Sequence, residues 1–318
     1  MQTIGEWWMW AAFAVFVVVA VIVDLVTLRH DGAHKVSVRE ALRWSMVWIA
    51  LSFAFCGLLW WYLDATQGPE IAGVKAGEFL TGYLIEKSLS VDNVFVFLMI
   101  FTYFAVPAEF QKRVIILGVV GAIVLRAIMI FVGAILIARF HWILYLFGAF
   151  LLVTGIKMLV FADEKPDLEA NPVLRWIRGH LRITPTFHGE RFTVMQDGVR
   201  WFTPLFVVIV MVAITDIIFA VDSIPAIFAI TEDPFIVLTS NVFAVLGLRA
   251  LYFLLADMAD RFHYLSVGLA VVLVFVGTKM LVAPWFKIPV FVSLGVVAAI
   301  LVTSVVVSLA RPRVEPAD

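Results

Sequence analysis

Nine apolar runs, each about as long as a bilayer-crossing helix and separated by short polar or charged breaks, make up most of the chain. They extend approximately from Trp7 to Leu28, Trp44 to Leu63, Phe79 to Phe104, Val114 to Ala138, Trp142 to Phe161, Pro204 to Ile230, Phe235 to Ala256, Tyr264 to Ala283 and Ile288 to Leu309. A hydrocarbon core about 30 Å thick is crossed by roughly 20 apolar residues in helical form. The runs therefore predict about nine transmembrane helices, called here the first to ninth spans. The alternation of short barrel strands is missing from them. The expected fold class is all-α, a polytopic membrane helix bundle.

Composition agrees with a lipid solvent. Of 318 residues, 63% are hydrophobic, 14% aromatic and 15% charged, with mean hydropathy +1.04. A soluble domain is about 45–50% apolar and about 25% charged. The formal charge of −1 gives no reason to expect a nucleic-acid partner. The first run is too long for a cleaved leader, so the first span is expected to stay in the mature protein, and no transit peptide is visible. Placing the N-terminus outside puts 15 Lys and Arg in the inward connections and leaves Lys75, Arg139 and Lys287 outside. The positive-inside rule then sets the N-terminus outside and the C-terminus in the cytoplasm. The segment from Ala162 to Arg200 reads as a cytoplasmic connection, too short and polar for a core of its own. The expected organisation is an N-terminal helix pair (1–78), a three-helix unit (79–161), this loop (162–203), a second three-helix unit (204–283) and a final helix with its tail (284–318). Lone Cys56 excludes a disulfide framework or a cysteine metal site.

Ten charges fall inside the spans: Lys87, Arg126, Lys157, Arg249 and Lys279 against Asp24, Glu86, Asp92, Asp216 and Asp222. Each charge placed centrally costs about 2.5–3.5 kcal/mol on insertion scales, so they call for a function. They also recur in order. EKSLSVDN from Glu86 corresponds to DIIFAVDS from Asp216, LRAIM around Arg126 to LRALY around Arg249, RFH at Arg139 to RFH at Arg261, and GIKMLV from Gly155 to GTKMLV from Gly277. This pattern predicts that the third to fifth spans are duplicated as the sixth to eighth. Three is odd, so the copies enter the membrane from opposite sides, an inverted repeat of the kind that holds substrate near the midplane. Pro225 is expected to bend the sixth span.

Glu86 and Asn93 are seven residues apart and share a helix face, as do Asp216 and Ser223. Asp92 and Asp222 lie about 100° around unless the helix unwinds. Glu86, Asp92, Asn93, Asp216, Asp222 and Ser223 form an all-oxygen set suited to hard divalent cations such as Mn²⁺. No histidine lies deep in a span. Arg126, Lys157, Arg249 and Lys279 are candidate charge partners. They either neutralise the acids as structural pairs or hold them until a cation enters. Asp24 is a weaker candidate at the inner end of the first span, and Lys87 has no counterpart, since Ile217 stands in its place. Gly118, Gly121, Gly133, Gly148 and Gly155 read as positions of close helix packing.

GYLIEKSLSVDNVFVF from Gly82, DIIFAVDSIPAIFAIT from Asp216 and SNVFAVLGLRALYF from Ser240 resemble the TerC family of bacterial and plastid membrane proteins, within the LysE-type transporter superfamily. The resemblance covers nearly the whole chain. It implies a nine-helix inner-membrane protein of a family associated with tellurium resistance, some of whose members export manganese. It also implies that the acidic motifs hold the metal, with Asn241 as a polar neighbour. The functional expectation is export of divalent cations, Mn²⁺ first, by alternating access. Cations entering clustered carboxylates would displace protons, a basis for exchange with protons. No resident cofactor and no enzymatic reaction are expected, because no thiol pair, nucleotide loop or cofactor motif is present. The alternatives are a membrane scaffold or insertion factor and a tellurium-resistance component without transport.

Overall fold

The computed structural model describes residues 3–30, 38–140, 142–160, 172–196, 198–256, 264–286 and 288–310. The side chains of Asp24, Asp92, Asp222 and Arg249 lie outside the described ones. The elements are α1 (Trp7–His30), α2 (Val38–Gln67), α3 (Pro69–Tyr103), α4 (Ala108–Arg139), α5 (Ile143–Val160), α6 (Pro172–His180), β1 (Thr193–Gln196), β2 (Val199–Phe202), α7 (Pro204–Phe228), α8 (Pro234–Leu246), α9 (Leu248–Ala256), α10 (Leu265–Val282) and α11 (Val290–Ala310). Five of these helices are long and apolar enough to cross a bilayer, and α1, α8 and α10 contain shorter apolar stretches. Large apolar side chains cover the outside of the bundle, among them Val15, Leu58, Val153 and Val302. In water such a surface would drive association; in lipid it is solvated.

Three expected spans differ in detail. The third begins ten residues earlier than its apolar run, because nothing in the polar stretch before Phe79 stops a helix except Gly68. That residue takes φ +92° between the end of α2 and Pro69, which sits at the first helical position where its missing N–H is harmless. The sixth carries Pro225 inside α7 and ends with Phe228, two residues before its expected end. The seventh is broken in two at Gly247, where α8 ends and α9 begins. Neither α3 nor α7 unwinds at the acidic motifs.

The connection before α7 carries structure of its own from residue 172 onward. α6 is followed by the antiparallel hairpin β1–β2, with Thr193 opposite Phe202 and Gln196 opposite Val199. Leu174 and Ile177 of α6 are buried in a cluster with α3, α4 and α7 side chains, so the segment borrows its core from the bundle.

Close packing of α5 on α10 runs through glycines. A β-carbon on Gly155 would lie 2.8 Å from the Ala270 carbonyl oxygen and 2.9 Å from the Val274 nitrogen. On Gly277 it would lie 2.7 Å from both the Gly148 oxygen and the Leu152 nitrogen. Gly148 and Leu152 precede Gly155 by the same steps that separate Ala270 and Val274 from Gly277, so the two contacts are reciprocal.

The buried apolar side chains form two clusters. One gathers α6 with the C-terminal part of α3, the start of α4 and the start of α7; the other gathers α1 and α2 with the start of α3, the end of α4, the end of α7 and α8. On α4 the buried members of the first cluster end at Ala122 and those of the second begin at Ile130; on α7 neither has a member between Val212 and Ala220, and the first returns at Ala226. Arg126 and Asp216 lie in those gaps. The charges sit where the buried apolar lining of both helices is interrupted.

A candidate cation site at the seam of the core

Four helices place one polar side chain each at this seam: Glu86 from α3, Arg126 from α4, Asp216 from α7 and Asn241 from α8. All four are buried, and Arg126 is only 1% exposed. The Arg126 guanidinium bridges the two carboxylates. Its Nη1 donates to Glu86 Oε1 and to Asn241 Oδ1 at 3.2 Å, and its Nη2 donates to Asp216 Oδ1 at 3.3 Å. Asn241 Nδ2 donates to Glu86 Oε2 at 3.1 Å. Glu86 thus has both oxygens engaged, whereas Asp216 Oδ2 has no partner.

Among the described residues, two buried carboxylates face one guanidinium. Ser90 and Asn93 follow Glu86 along one face of α3, and Ser223 follows Asp216 on α7. All three are buried, and among the described residues the hydroxyls of Ser90 and Ser223 have no hydrogen-bond partner. Buried polar atoms are normally satisfied. These two hydroxyls and Asp216 Oδ2, unpartnered among the described residues, are oxygens of the kind a hard cation takes as ligands. Among the described residues no three His, Cys, Asp or Glu side chains come together in metal-holding geometry. Asp92 and Asp222, expected to complete the set, lie outside the described side chains.

The expected charge partners separate. Arg126 stands between the acids of both repeats, and the Arg249 side chain lies outside the described ones. Lys157 sits on an exposed face of α5, which packs against α10 through its glycine face. Lys279 is half-buried and interacts electrostatically with Glu78, a residue that the apolar run of the third span left just outside.

Glu78 belongs to a second polar cluster. Its Oε2 accepts from Lys75 Nζ at 2.8 Å and from the Thr231 hydroxyl at 2.6 Å. Lys75 also lies 4.0 Å from Asp233, whose carboxylate caps α8 by accepting from the Phe235 amide and takes bonds from Thr3 and the Ile4 amide. Asp233 was legible as a helix start, an acidic residue followed by proline. Ser90 and Glu78 had a weaker signal, one turn after and two turns before Glu86 on α3.

The profile of the Integral membrane protein TerC family matches residues 72–315. A protein of Escherichia coli strain K12 named membrane-bound redox modulator Alx is 54% identical over 308 residues, covering 97% of this chain and 96% of its own. A membrane protein of Myxococcus xanthus is 46% identical, covering 99% of this chain and 96% of its own. One of Rickettsia felis is 38% identical, covering 95% and 97%. No solved structure matches. With a matching profile across most of its length and relatives aligned nearly end to end, the chain belongs to the integral membrane protein TerC family.

Proposed function

We propose that this integral membrane protein exports divalent metal cations, Mn²⁺ foremost, by alternating access between two inverted three-helix units. The observation that carries the proposal is the buried Glu86–Arg126–Asp216 bridge, with oxygens of Asp216, Ser90 and Ser223 on the same two helices unpartnered among the described residues. In this arrangement Arg126 occupies the carboxylates as a resident cation. An incoming metal takes Glu86 and Asp216, with Asp92, Asn93, Asp222 and Ser223 as further ligands, and the guanidinium withdraws. A carboxylate of the set that holds a proton in the metal-free state would release it as the metal enters, a basis for exchange with protons.

Two features support the inverted repeat. The reciprocal glycine contacts of α5 and α10 are what a pseudo-two-fold axis between the units produces. Arg126 also joins an acid of its own unit to the matching acid of the other. Manganese and the outward direction come from the resemblance to the family. The nine-span count, the bacterial inner membrane and the outside N-terminus belong to the same proposal, as do the absence of a resident cofactor and of enzymatic chemistry. The redox name of the relatives finds one thiol here, Cys56, which is free and buried.

The test is Mn²⁺ uptake into inverted vesicles reconstituted with the purified protein. Glu86→Gln, Asp216→Asn, Asp92→Ala and Asp222→Ala should each lower flux at least tenfold. Unchanged flux in all four would refute the site. Complementation of a deletion strain by a carboxylate-free variant would favour the scaffold reading instead.

A further inference from the structure

Lys87 is an intramembrane charge that the proposed site does not use, and the structure places it at a break in a helix. Its Nζ donates to the Ala244 carbonyl at 3.3 Å, in the last turn of α8. A β-carbon on Gly247, the residue that ends α8, would lie 2.6 Å from that nitrogen, while Trp48 of α2 closes the other side at 3.3 Å. Among the described residues no carboxylate forms an ion pair with Lys87.

The carbonyls of a helix's last turn lack intrahelical partners and carry about half a negative charge. Broken helices in transporters use such carbonyl ends, near the bilayer midplane, to coordinate monovalent coupling ions. Here an ammonium from a neighbouring helix occupies that position.

The other half of the molecule supplies an internal control. Ile217 stands where Lys87 would be, and counting back two residues from Arg126 and from Arg249 pairs Val124 with Gly247. Ile217 and Val124 are both exposed, and α4 runs unbroken through Val124. The lysine of one unit meets the break in the other, and at the corresponding positions of the repeat, Ile217 and Val124, both lysine and break are missing. The adjacent acid and base of α3 also grip α8 on one face, Glu86 at Asn241 and Lys87 at Ala244 three residues on.

We propose that Lys87 is a tethered cation: its ammonium fills a monovalent-cation position at the carbonyl end of α8, so that the protein needs no dissociable ion there. Lys87 is a positioning residue, holding the break through its charge. Removing the side chain opens the position to a small free cation.

The experiment measures the melting temperature of the full-length protein in methylammonium, sodium or choline chloride at equal ionic strength. Wild type and Lys87→Arg should melt alike in all three. Lys87→Ala should melt about 2–4 °C lower in choline and regain at least half of that loss in methylammonium or sodium. Lys87→Met should stay low in every salt, because its neutral stem fills the space. Gly247→Ala, whose β-carbon fills the place of the amine without altering α3, should behave like Lys87→Met. Mn²⁺ flux in vesicles should follow the same pattern. A Lys87→Met protein as stable and active as wild type would overturn the proposal, as would a Lys87→Ala protein indifferent to all three cations. The flux measurement rests on the proposed transport and the melting measurement does not. Cation-dependent melting with no wild-type flux would leave the tethered cation standing and remove the transporter, and wild-type flux without cation-dependent melting would do the reverse.

Discussion

Replacing Arg126 with Met tests the bridge at its centre. Met keeps an unbranched stem in the space of a side chain that is 1% exposed, so little cavity is created. What disappears is the guanidinium and its bonds to Glu86, Asn241 and Asp216. Two carboxylates then remain buried with no cation. Removing one partner of a buried pair costs about 3–5 kcal/mol, which at roughly 2 °C per kcal/mol for a chain of this size lowers the melting temperature by about 6–10 °C. If these oxygens form a cation site, Mn²⁺ should replace the missing charge. At a concentration of about 100 times Kd, a ligand bound only to the folded state returns about 2.7 kcal/mol, or about 5 °C on the same scale. The assay is thermal unfolding of purified wild type and variant, with and without MnCl₂. The triple variant Glu86→Gln, Arg126→Met, Asp216→Asn carries no charge at the bridge and should melt above the single variant and ignore Mn²⁺. A single variant that melts within about 2 °C of wild type, or one that Mn²⁺ does not stabilise, would refute both the energetic role of the bridge and its identity as a cation site.

The α5–α10 crossing gives a second prediction. Gly277→Ala pushes a β-carbon to 2.7 Å from the backbone of α5 and should destabilise by about 1–3 kcal/mol, whereas Gly295→Ala, with nothing within 4 Å of the new carbon, should melt at or slightly above the wild-type temperature. Orientation is checked in a Cys56→Ala background by single cysteines at Trp285 and Met195, which are 84% and 67% exposed. A membrane-impermeant maleimide should label Trp285→Cys in intact cells and Met195→Cys only in inverted vesicles, and the opposite pattern would invert the topology.

The hydrophobic pattern was sufficient to locate helices because lipid acts on each segment separately. A run such as Ile143–Val160 is long and apolar enough on its own terms, whatever packs beside it. The intramembrane acids were legible for the same reason, since Glu86 and Asp216 stand out against apolar neighbours without reference to any partner. Helix ends were less so: hydropathy falls off before Phe79, but a helix needs only the absence of a breaker, and α3 continues to Pro69.

Which charges meet was decided by the packed helices. Glu86 and Asp216 are 130 residues apart and share Arg126 only because α3, α4 and α7 pack with those residues at one level and turned toward one another. Lys157 carries the same motif as Lys279, yet one is exposed and the other lies near Glu78. The break at Gly247 depends on an amine delivered by α3, which no property of the seventh span records. By itself the sequence determined that the chain is helical and lipid-solvated, and which charges are buried at a cost. Partnership depends on rotation and depth between helices distant in sequence, so the tertiary structure alone decided that Arg126 closes the acidic pair and that Lys87 holds the broken helix.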